Sequence, residues 1–110
     1  MTVCEILWEY GMVLSCEMEC EKAISVYTDA LGFCTNDYLV AHIYWSRSLA
    51  YSRSKQFTEA LLDINKAMSL NSGEENLMLF DRESIYRNIG NIDLADSDLC
   101  KINLIFNKSL

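Results

Sequence analysis

Five cysteines and a single histidine are the side chains of this chain to consider first as metal ligands or as nucleophile and base. The cysteines are Cys4, Cys16, Cys20, Cys34 and Cys100. Their number is odd, and they lack the closely spaced pairs of a zinc-binding motif. Cys16 and Cys20 are four residues apart and could share a helical face, so a two-ligand half-site is an alternative. Because cysteine is among the most frequently buried residue types, the sequence favours free, mostly buried thiols and no metal site.

The sequence contains no recognisable catalytic motif. His42 is the only histidine, and no serine or cysteine is combined with it and a carboxylate at a known motif spacing. A glycine-rich phosphate loop is also missing from the sequence. The acidic clusters at 17–21 and 74–75 are more simply solvated turns and helix N-termini than paired acid and base. We therefore expect no catalytic residues and no cofactor, with His42 as a polar surface residue or, alternatively, a peptide contact.

Composition excludes several classes of partner. The chain has 110 residues, of which 51% are hydrophobic, and this is enough apolar side chain for one domain, 1–110, with a real core. A net charge of -7 repels phosphate backbones and anionic lipids, so nucleic acid is not expected as a partner. No run of about 18 apolar residues is long enough to span a bilayer, and the N-terminal residues are acidic where a secretory signal is basic. We expect a cytoplasmic protein that is not inserted in a membrane.

The absence of proline and the low glycine count favour an all-helical chain. Periodicity of apolar residues predicts helices over about 4–17, 21–34, 41–54, 58–71, 76–89 and 93–106. Thr58, followed by Glu59, is expected to begin the fourth helix, and Gly73 to take a left-handed conformation after it. An extended loop is expected at 35–38.

A small residue recurs near the start of every second predicted helix. Ala23, Ala60 and Ala95 lie at separations of 37 and 35 residues. This period resembles the tetratricopeptide repeat, whose unit of about 34 residues carries the pattern W-x2-L-G-x2-Y followed by A-x3-F. The residues that carry the resemblance are Leu7, Tyr10, Gly11, Leu14, Ala23, Tyr27 and Ala30, then Tyr44, Arg47, Ser48, Tyr51, Ala60, Ile64 and Ala67, then Leu79, Arg82, Glu83, Tyr86, Ala95, Leu99 and Ile102.

The resemblance implies an all-α right-handed superhelix of three antiparallel helix pairs, with repeats at about 4–37, 41–74 and 76–109. Gly11 and Ser48 are expected where the two helices of a pair cross closely, because a large side chain would push them apart. Glu83 departs from this pattern in the third repeat. Proteins of this family are binding modules, so the resemblance implies an adaptor or scaffold rather than an enzyme.

Registering the repeats against one another predicts a binding groove. Trp8, Trp45 and Phe80 occupy equivalent positions that face the concave groove in the family, and Met12 and Leu49 lie one turn further along. Arg53 and Arg87 are placed equivalently near the far ends of the third and fifth helices. The predicted groove residues are therefore Trp8, Met12, Trp45, Ser46, Leu49, Arg53, Phe80 and Arg87. The alternative is that these aromatic residues belong to the core.

One class within the family grips the acidic C-terminal tails of Hsp70 and Hsp90 with lysine, asparagine and arginine residues. The positions in this chain that match that carboxylate clamp are Trp8, Met12, Ser46, Leu77 and Asp81, none of which is a clamp residue. The resemblance therefore implies a hydrophobic or aromatic-containing peptide, or an amphipathic helix, as partner. Binding of a chaperone tail in a mode without the clamp is an alternative.

The last predicted helix suggests a further alternative. Leu99, Ile102, Ile105 and Phe106 give it apolar residues at helical spacings, more than packing inside one repeat requires. This end could form a homodimer, or the chain could be a self-associating segment of a longer repeat protein.

Overall fold

Six α-helices form in residues 1–107, the part of the chain that the computed structural model describes. They are α1 (Val3–Cys16), α2 (Cys20–Leu31), α3 (Asp37–Arg53), α4 (Phe57–Ser69), α5 (Glu75–Ile89) and α6 (Ile92–Asn107). The all-helical prediction is confirmed for these residues. The predicted repeat 76–109 and the predicted domain 1–110 extend into 108–110, which lie outside the described residues.

Side-chain caps begin three of the described helices; at α6 the Asn91 Oδ1 accepts from the Leu94 backbone N–H at 3.3 Å. The Thr2 hydroxyl accepts a hydrogen bond from the Glu5 backbone N–H at 3.2 Å and opens α1. The Asn36 Oδ1 accepts from the backbone N–H groups of Tyr38 and Leu39 at 2.9 and 3.2 Å. Because Asn36 satisfies these two free donors, α3 begins at Asp37. The expected loop at 35–38 is therefore only partly correct: Thr35 and Asn36 lie between α2 and α3, whereas Asp37 and Tyr38 belong to α3, which begins one turn earlier than predicted.

The predicted start of α4 is also wrong. Thr58 lies inside the helix, which begins at Phe57 after Gln56, and no side chain caps this end. The left-handed conformation predicted for Gly73 is confirmed, since this residue has a φ of 93° in the loop after α4.

The same tight turn connects the two helices of each pair. Met18, Lys55 and Gly90 have φ values of 64°, 62° and 91°, at the separations of 37 and 35 residues that also relate the three alanines. The backbone bonds Glu19 N–H to Leu14 O, Gln56 N–H to Tyr51 O and Asn91 N–H to Tyr86 O, of 2.8, 2.9 and 2.9 Å, repeat with them. These are the bonds of a helix that ends in a left-handed residue. The repeat found in the sequence is thus also a repeat of backbone geometry.

Each helix packs on the next along the chain, and α3 also contacts α1 and α5. Ala23, Ala60 and Ala95 are fully buried where the helices of each pair meet. A Cβ atom on Gly11 would lie only 2.7 Å from Cδ1 of Tyr27, which confirms the close crossing expected there. Ser48 is likewise fully buried. Small residues therefore fix the distance between paired helices.

Two buried ion pairs repeat within the second and third helix pairs. The Arg47 guanidinium on α3 donates to both carboxylate oxygens of Asp63 on α4 at 2.7 and 2.8 Å. Arg82 on α5 makes the same two bonds with Asp98 on α6, both at 2.8 Å. The bidentate geometry compensates the burial of these aspartates, since each oxygen receives its own donor. In the first pair the register places Tyr10 at the arginine position.

The same arginines link one helix pair to the one before it. Nη1 of Arg47 donates to the Thr28 hydroxyl on α2 at 3.0 Å. Nη1 of Arg82 donates to Oδ1 of Asn65 on α4, also at 3.0 Å. Each arginine therefore holds three helices together through one planar group.

The prediction that all five cysteines are free and mostly buried is wrong. Cys4 at the start of α1 and Cys34 after α2 form a disulfide, with Cα atoms 5.4 Å apart. Cys16 and Cys100 are exposed free thiols. The pairing depends on the fold, because the two bonded residues are 30 positions apart in the sequence.

Replacing Lys55 by glycine is expected to stabilise the protein. Lys55 has a left-handed backbone, which costs an L-residue about 1–2 kcal/mol and which glycine adopts freely. After the added unfolded-state entropy of glycine, we expect a net gain of about 0.5–1 kcal/mol in urea denaturation. Lys66→Gly inside α4 is the matched control, and should cost up to about 1 kcal/mol. Equal losses in both variants would contradict the role assigned to the turn.

Removing one partner of a buried ion pair is expected to be strongly destabilising. Asp98→Ala leaves the Arg82 guanidinium without its carboxylate, and we expect a loss of about 3 kcal/mol in the free energy of unfolding. Asp96→Ala removes an exposed carboxylate two residues away that receives a single bond from Arg87, and we expect less than about 1 kcal/mol. Urea denaturation compares the two variants. Similar small losses would show that the Arg82 pair does not hold the third helix pair together.

Candidate functional site

A depression of about 160 Å³ lies between α1 and α3. Its lining residues are Met12, Ser15, Cys16, Tyr27, Ser46, Leu49 and Arg53. Four of these, Met12, Ser46, Leu49 and Arg53, are among the predicted groove residues. The structure therefore brings half of the predicted set together around one concave feature. Each of the two helices contributes an apolar residue, Met12 or Leu49, and polar residues to its wall.

The two tryptophans are half-buried on the same two helices and bonded within the chain, but neither lines the depression. The indole N–H of Trp8 donates to the Ser46 hydroxyl at 3.0 Å. The indole N–H of Trp45 donates to Oδ2 of Asp81 at 2.7 Å. In both cases the tryptophan lies on the first helix of one pair and bonds to the first helix of the next pair. The two acceptors occupy equivalent positions, because Ser46 directly follows Trp45 and Asp81 directly follows Phe80. The tryptophans thus join neighbouring first helices and leave only part of each ring accessible.

Phe80 differs from the two tryptophans. It is 47% exposed, and its ring packs against Phe106 of α6 with centroids 5.3 Å apart. Phenylalanine has no N–H to donate. The third aromatic position therefore offers more ring surface than the first two.

The interpretation of His42 as a surface residue is wrong. Its side chain is only 12% exposed. The ring lies among Trp8, Tyr38 and Trp45, with centroid distances of 5.5, 4.5 and 5.6 Å. Nε2 approaches Oε2 of Glu74 at 3.4 Å. His42 faces inward because the early start of α3 brings Tyr38 against its ring. The His42 ring also packs against both tryptophans.

Arg53 and Arg87 are not equivalent in the structure. Arg53 points toward α1, where Nη1 approaches the Ser15 carbonyl oxygen at 3.5 Å, and none of the ion pairs in residues 1–107 includes it. Arg87 instead binds Glu83 at 2.7 Å and Asp96 of α6 at 3.2 Å. The separation of 34 residues explains the difference, because the repeat period here is 35. Only Arg53 is directed at the depression.

Burial affects two ionisable groups near the depression. It raises the pKa of the Asp81 carboxyl above its usual value, although the Trp45 hydrogen bond and the nearby charge of Arg53 act in the opposite direction. Burial likewise raises the pKa of the Tyr27 hydroxyl, against hydrogen bonds with Ser15 and Ser46. Asp81 is therefore a partly buried carboxyl next to the groove, and Tyr27 stays a neutral donor.

The apolar residues predicted for self-association do not form one surface. Ile102 is buried, while Leu99 and Phe106 are exposed and Ile105 is half-buried. Phe106 already contacts Phe80. Among the described helices, α6 packs on α5 alone.

Sequence reasoning missed the bonds that hold the groove residues. The sequence indicated for Asp81 only that it does not match the carboxylate clamp, and its bond to Trp45 was not anticipated. A signal existed, because Ser46 and Asp81 are polar residues 35 apart that each follow an aromatic residue of the register. The two buried ion pairs carry the same signal, because Arg47 and Arg82 are 35 residues apart, and so are Asp63 and Asp98.

Within residues 1–107 no three histidine, cysteine, aspartate or glutamate side chains are grouped to hold a metal ion. Cys16 ends α1 and Cys20 begins α2, so the two do not share the helical face that a half-site would need. None of the helices in this range is both long and apolar enough to cross a membrane.

No known protein-family model matches this chain, and no curated protein is similar enough to it to be counted as a relative. Its function therefore has to be argued from the geometry above.

The raised pKa of Asp81 predicts a pH-dependent effect of Asp81→Asn. The folded state holds the Asp81 proton more tightly than the unfolded chain, so this group reduces stability as pH rises above about 4. Asparagine can still accept the Trp45 bond and has no charge to bury. The variant should therefore gain stability relative to the natural protein between pH 4 and pH 7, measured by urea denaturation.

Glu9→Gln on the exposed side of α1 controls for the change in net charge. It should show no comparable trend with pH. A relative stability of Asp81→Asn that is constant or falls over this range would contradict the burial of the Asp81 charge.

Proposed function

We propose that this protein is a protein-interaction module of the tetratricopeptide type that binds an apolar peptide or amphipathic helix. In this proposal the three helix pairs form a right-handed superhelix with α1, α3 and α5 along its concave side. The observation that carries it is the depression between α1 and α3, where Met12, Ser46, Leu49 and Arg53 meet.

The threefold recurrence of geometry supports the repeat assignment. The left-handed turn residues, the buried alanines and the turn hydrogen bonds all recur at separations of 37 and 35 residues. The direct contacts of α3 with α1 and α5 place the first helices of the pairs side by side. Such an arrangement is what stacked helix pairs of a solenoid require.

The chemistry of the depression indicates what kind of ligand it would accept. The indole N–H groups of both tryptophans are already used, so the rings offer apolar faces rather than hydrogen bonds. Met12 and Leu49 add aliphatic surface, and Arg53 has no carboxylate partner in residues 1–107. A ligand that combines an aliphatic or aromatic side chain with a carboxylate fits this pattern.

Affinity should be moderate. Burying two or three apolar side chains yields about 1.5–3 kcal/mol each, against an association cost of at least about 4 kcal/mol. One charge-assisted bond to Arg53 adds about 1.5–3 kcal/mol. The most favourable sum is about 8 kcal/mol, so dissociation constants are micromolar at the tightest and extend into the millimolar range.

Selection from a displayed library of random 15-residue peptides tests the proposal. We expect enriched peptides to combine apolar and acidic residues and to shift the tryptophan emission, because Trp8 donates to Ser46, which lines the depression. Leu49→Glu and Met12→Glu should each weaken binding at least tenfold, since a carboxylate would enter the apolar wall. Arg53→Ala should remove the preference for acidic residues.

Leu62→Glu is the matched control, because Leu62 is 67% exposed on α4 and does not line the depression. It should leave binding unchanged. The proposal is wrong if the library yields no binder, or if the enriched peptides bind Leu49→Glu and Met12→Glu as well as they bind the natural protein while circular dichroism shows all variants folded.

A further inference from the structure

An apolar stripe on α1 remains uncovered by the rest of the described chain. Val3, Ile6, Tyr10 and Val13 are 54%, 52%, 54% and 53% exposed. Their spacing of three, four and three residues places them on one side of the helix. This side faces away from the groove residue Trp8, and Met12 lies between Trp8 and Val13 around the helix. The exposed apolar area is on the order of 300 Å², a size at which patches on monomeric proteins are often functional.

The repeat register shows what this stripe does elsewhere in the molecule. The positions equivalent to Ile6 and Val13 are Ile43 and Ala50 in α3, and Met78 and Ile85 in α5. All four of these are at most 1% exposed. Ile43 and Ala50 pack in one cluster with α2, and Met78 and Ile85 in one cluster with α4. The same surface that receives a helix on α3 and on α5 is therefore open on α1.

Charge around the stripe selects the chemistry of a covering helix. Helix α1 contains no lysine or arginine, and an apolar depression on it, lined by Met12, Val13 and Cys16, is flanked by Glu9 and Glu17. At both internal junctions an arginine of the first helix donates to the preceding helix. Tyr10 stands at that position in α1. Helix α1 therefore supplies no cation to this junction, and the carboxylates of Glu9 and Glu17 favour a basic partner.

A second copy of this chain is a poor occupant. The surface of α6 that would correspond to the covering faces of α2 and α4 carries Asp96 and Asn103 where those helices have Ile24, Leu61, Leu31 and Met68. Ile92 and Leu99, at the positions of Phe57 and Ile64 in α4, remain apolar there, with Asp96 between them. The net charge of -7 adds repulsion between copies.

We propose that Val3, Ile6, Tyr10 and Val13 form a docking site for a basic amphipathic helix of another protein. The helix lies on α1 as α2 lies on α3 and α4 lies on α5. Its apolar face covers the stripe, and its lysine or arginine residues meet Glu9 and Glu17. This site is distinct from the groove between α1 and α3, so the protein can hold two partners at once.

The test uses the full chain and three synthetic 20-residue peptides. The first is a helix with leucine on one face and lysine on its flanks, the second has glutamate in place of each lysine, and the third is a scrambled form of the first. We expect the basic amphipathic peptide to bind at least tenfold more tightly than the other two, measured by isothermal titration calorimetry. Equal binding of the basic and scrambled peptides would show only nonspecific charge attraction and would overturn the proposal.

Substitutions assign the binding to a surface. Ile6→Glu and Val13→Glu should each weaken the basic peptide at least tenfold, whereas Leu49→Glu, which lines only the depression between α1 and α3, and Leu62→Glu on α4 should not. Glu9→Lys combined with Glu17→Lys should reverse the preference toward the acidic peptide, which a purely structural effect would not do. Loss of binding in Leu49→Glu alone would place the peptide in the groove, and a dimer that Ile6→Glu dissociates in sedimentation would place a second copy on the stripe. Either outcome overturns the proposal.

Discussion

Close contact between the two helices of each pair is the constraint on which the rest of this structure depends. Ala23, Ala60 and Ala95 are fully buried at these contacts, and Gly11 leaves no room for a Cβ atom beside Tyr27. Because helix separation is set by the side chains at the crossing, small residues bring the paired helices near enough for other groups to reach across. The bidentate bonds of Arg47 to Asp63 are one result.

The arginines convert this local contact into a linked array. Arg47 and Arg82 each bind an aspartate on their own partner helix and a polar side chain on the preceding second helix. Burying these charges is favourable only if every donor and acceptor is satisfied, so the position of one pair depends on that of its neighbour. Tyr44 and Tyr51 also flank the Arg47 guanidinium, whose carbon lies 5.4 and 5.7 Å from their ring centroids.

The tryptophans belong to both the core and the candidate groove. Sequence reasoning set these two interpretations against each other, but Trp8 and Trp45 are half-buried and their N–H groups join successive first helices. A large amphipathic ring can pack on one side and stay accessible on the other. The groove that we propose is thus built from the same residues that position α1, α3 and α5, and its shape is coupled to the packing of the repeats.

The sequence by itself determined the six helices, the places where they turn, and the small residues at their crossings. These features are local or periodic, so apolar spacing and the separations of 37 and 35 residues were enough. The start of α3 was missed because it depends on a single N-cap residue, Asn36, and residues 37–40 carry only a weak helical pattern in the sequence.

Only the tertiary structure decided which side chains meet across helices. The disulfide joins Cys4 to Cys34, 30 positions apart, and a hydrogen bond joins Trp45 to Asp81, 36 positions apart. The inward position of His42 depends on Trp8, which is similarly distant in the sequence. It also separated Arg53 from Arg87, since a shift of one residue in register rotates a side chain by about 100° around a helix. Such contacts depend on how whole helices are placed, and that placement is the sum of many packing interactions that no single spacing in the sequence expresses.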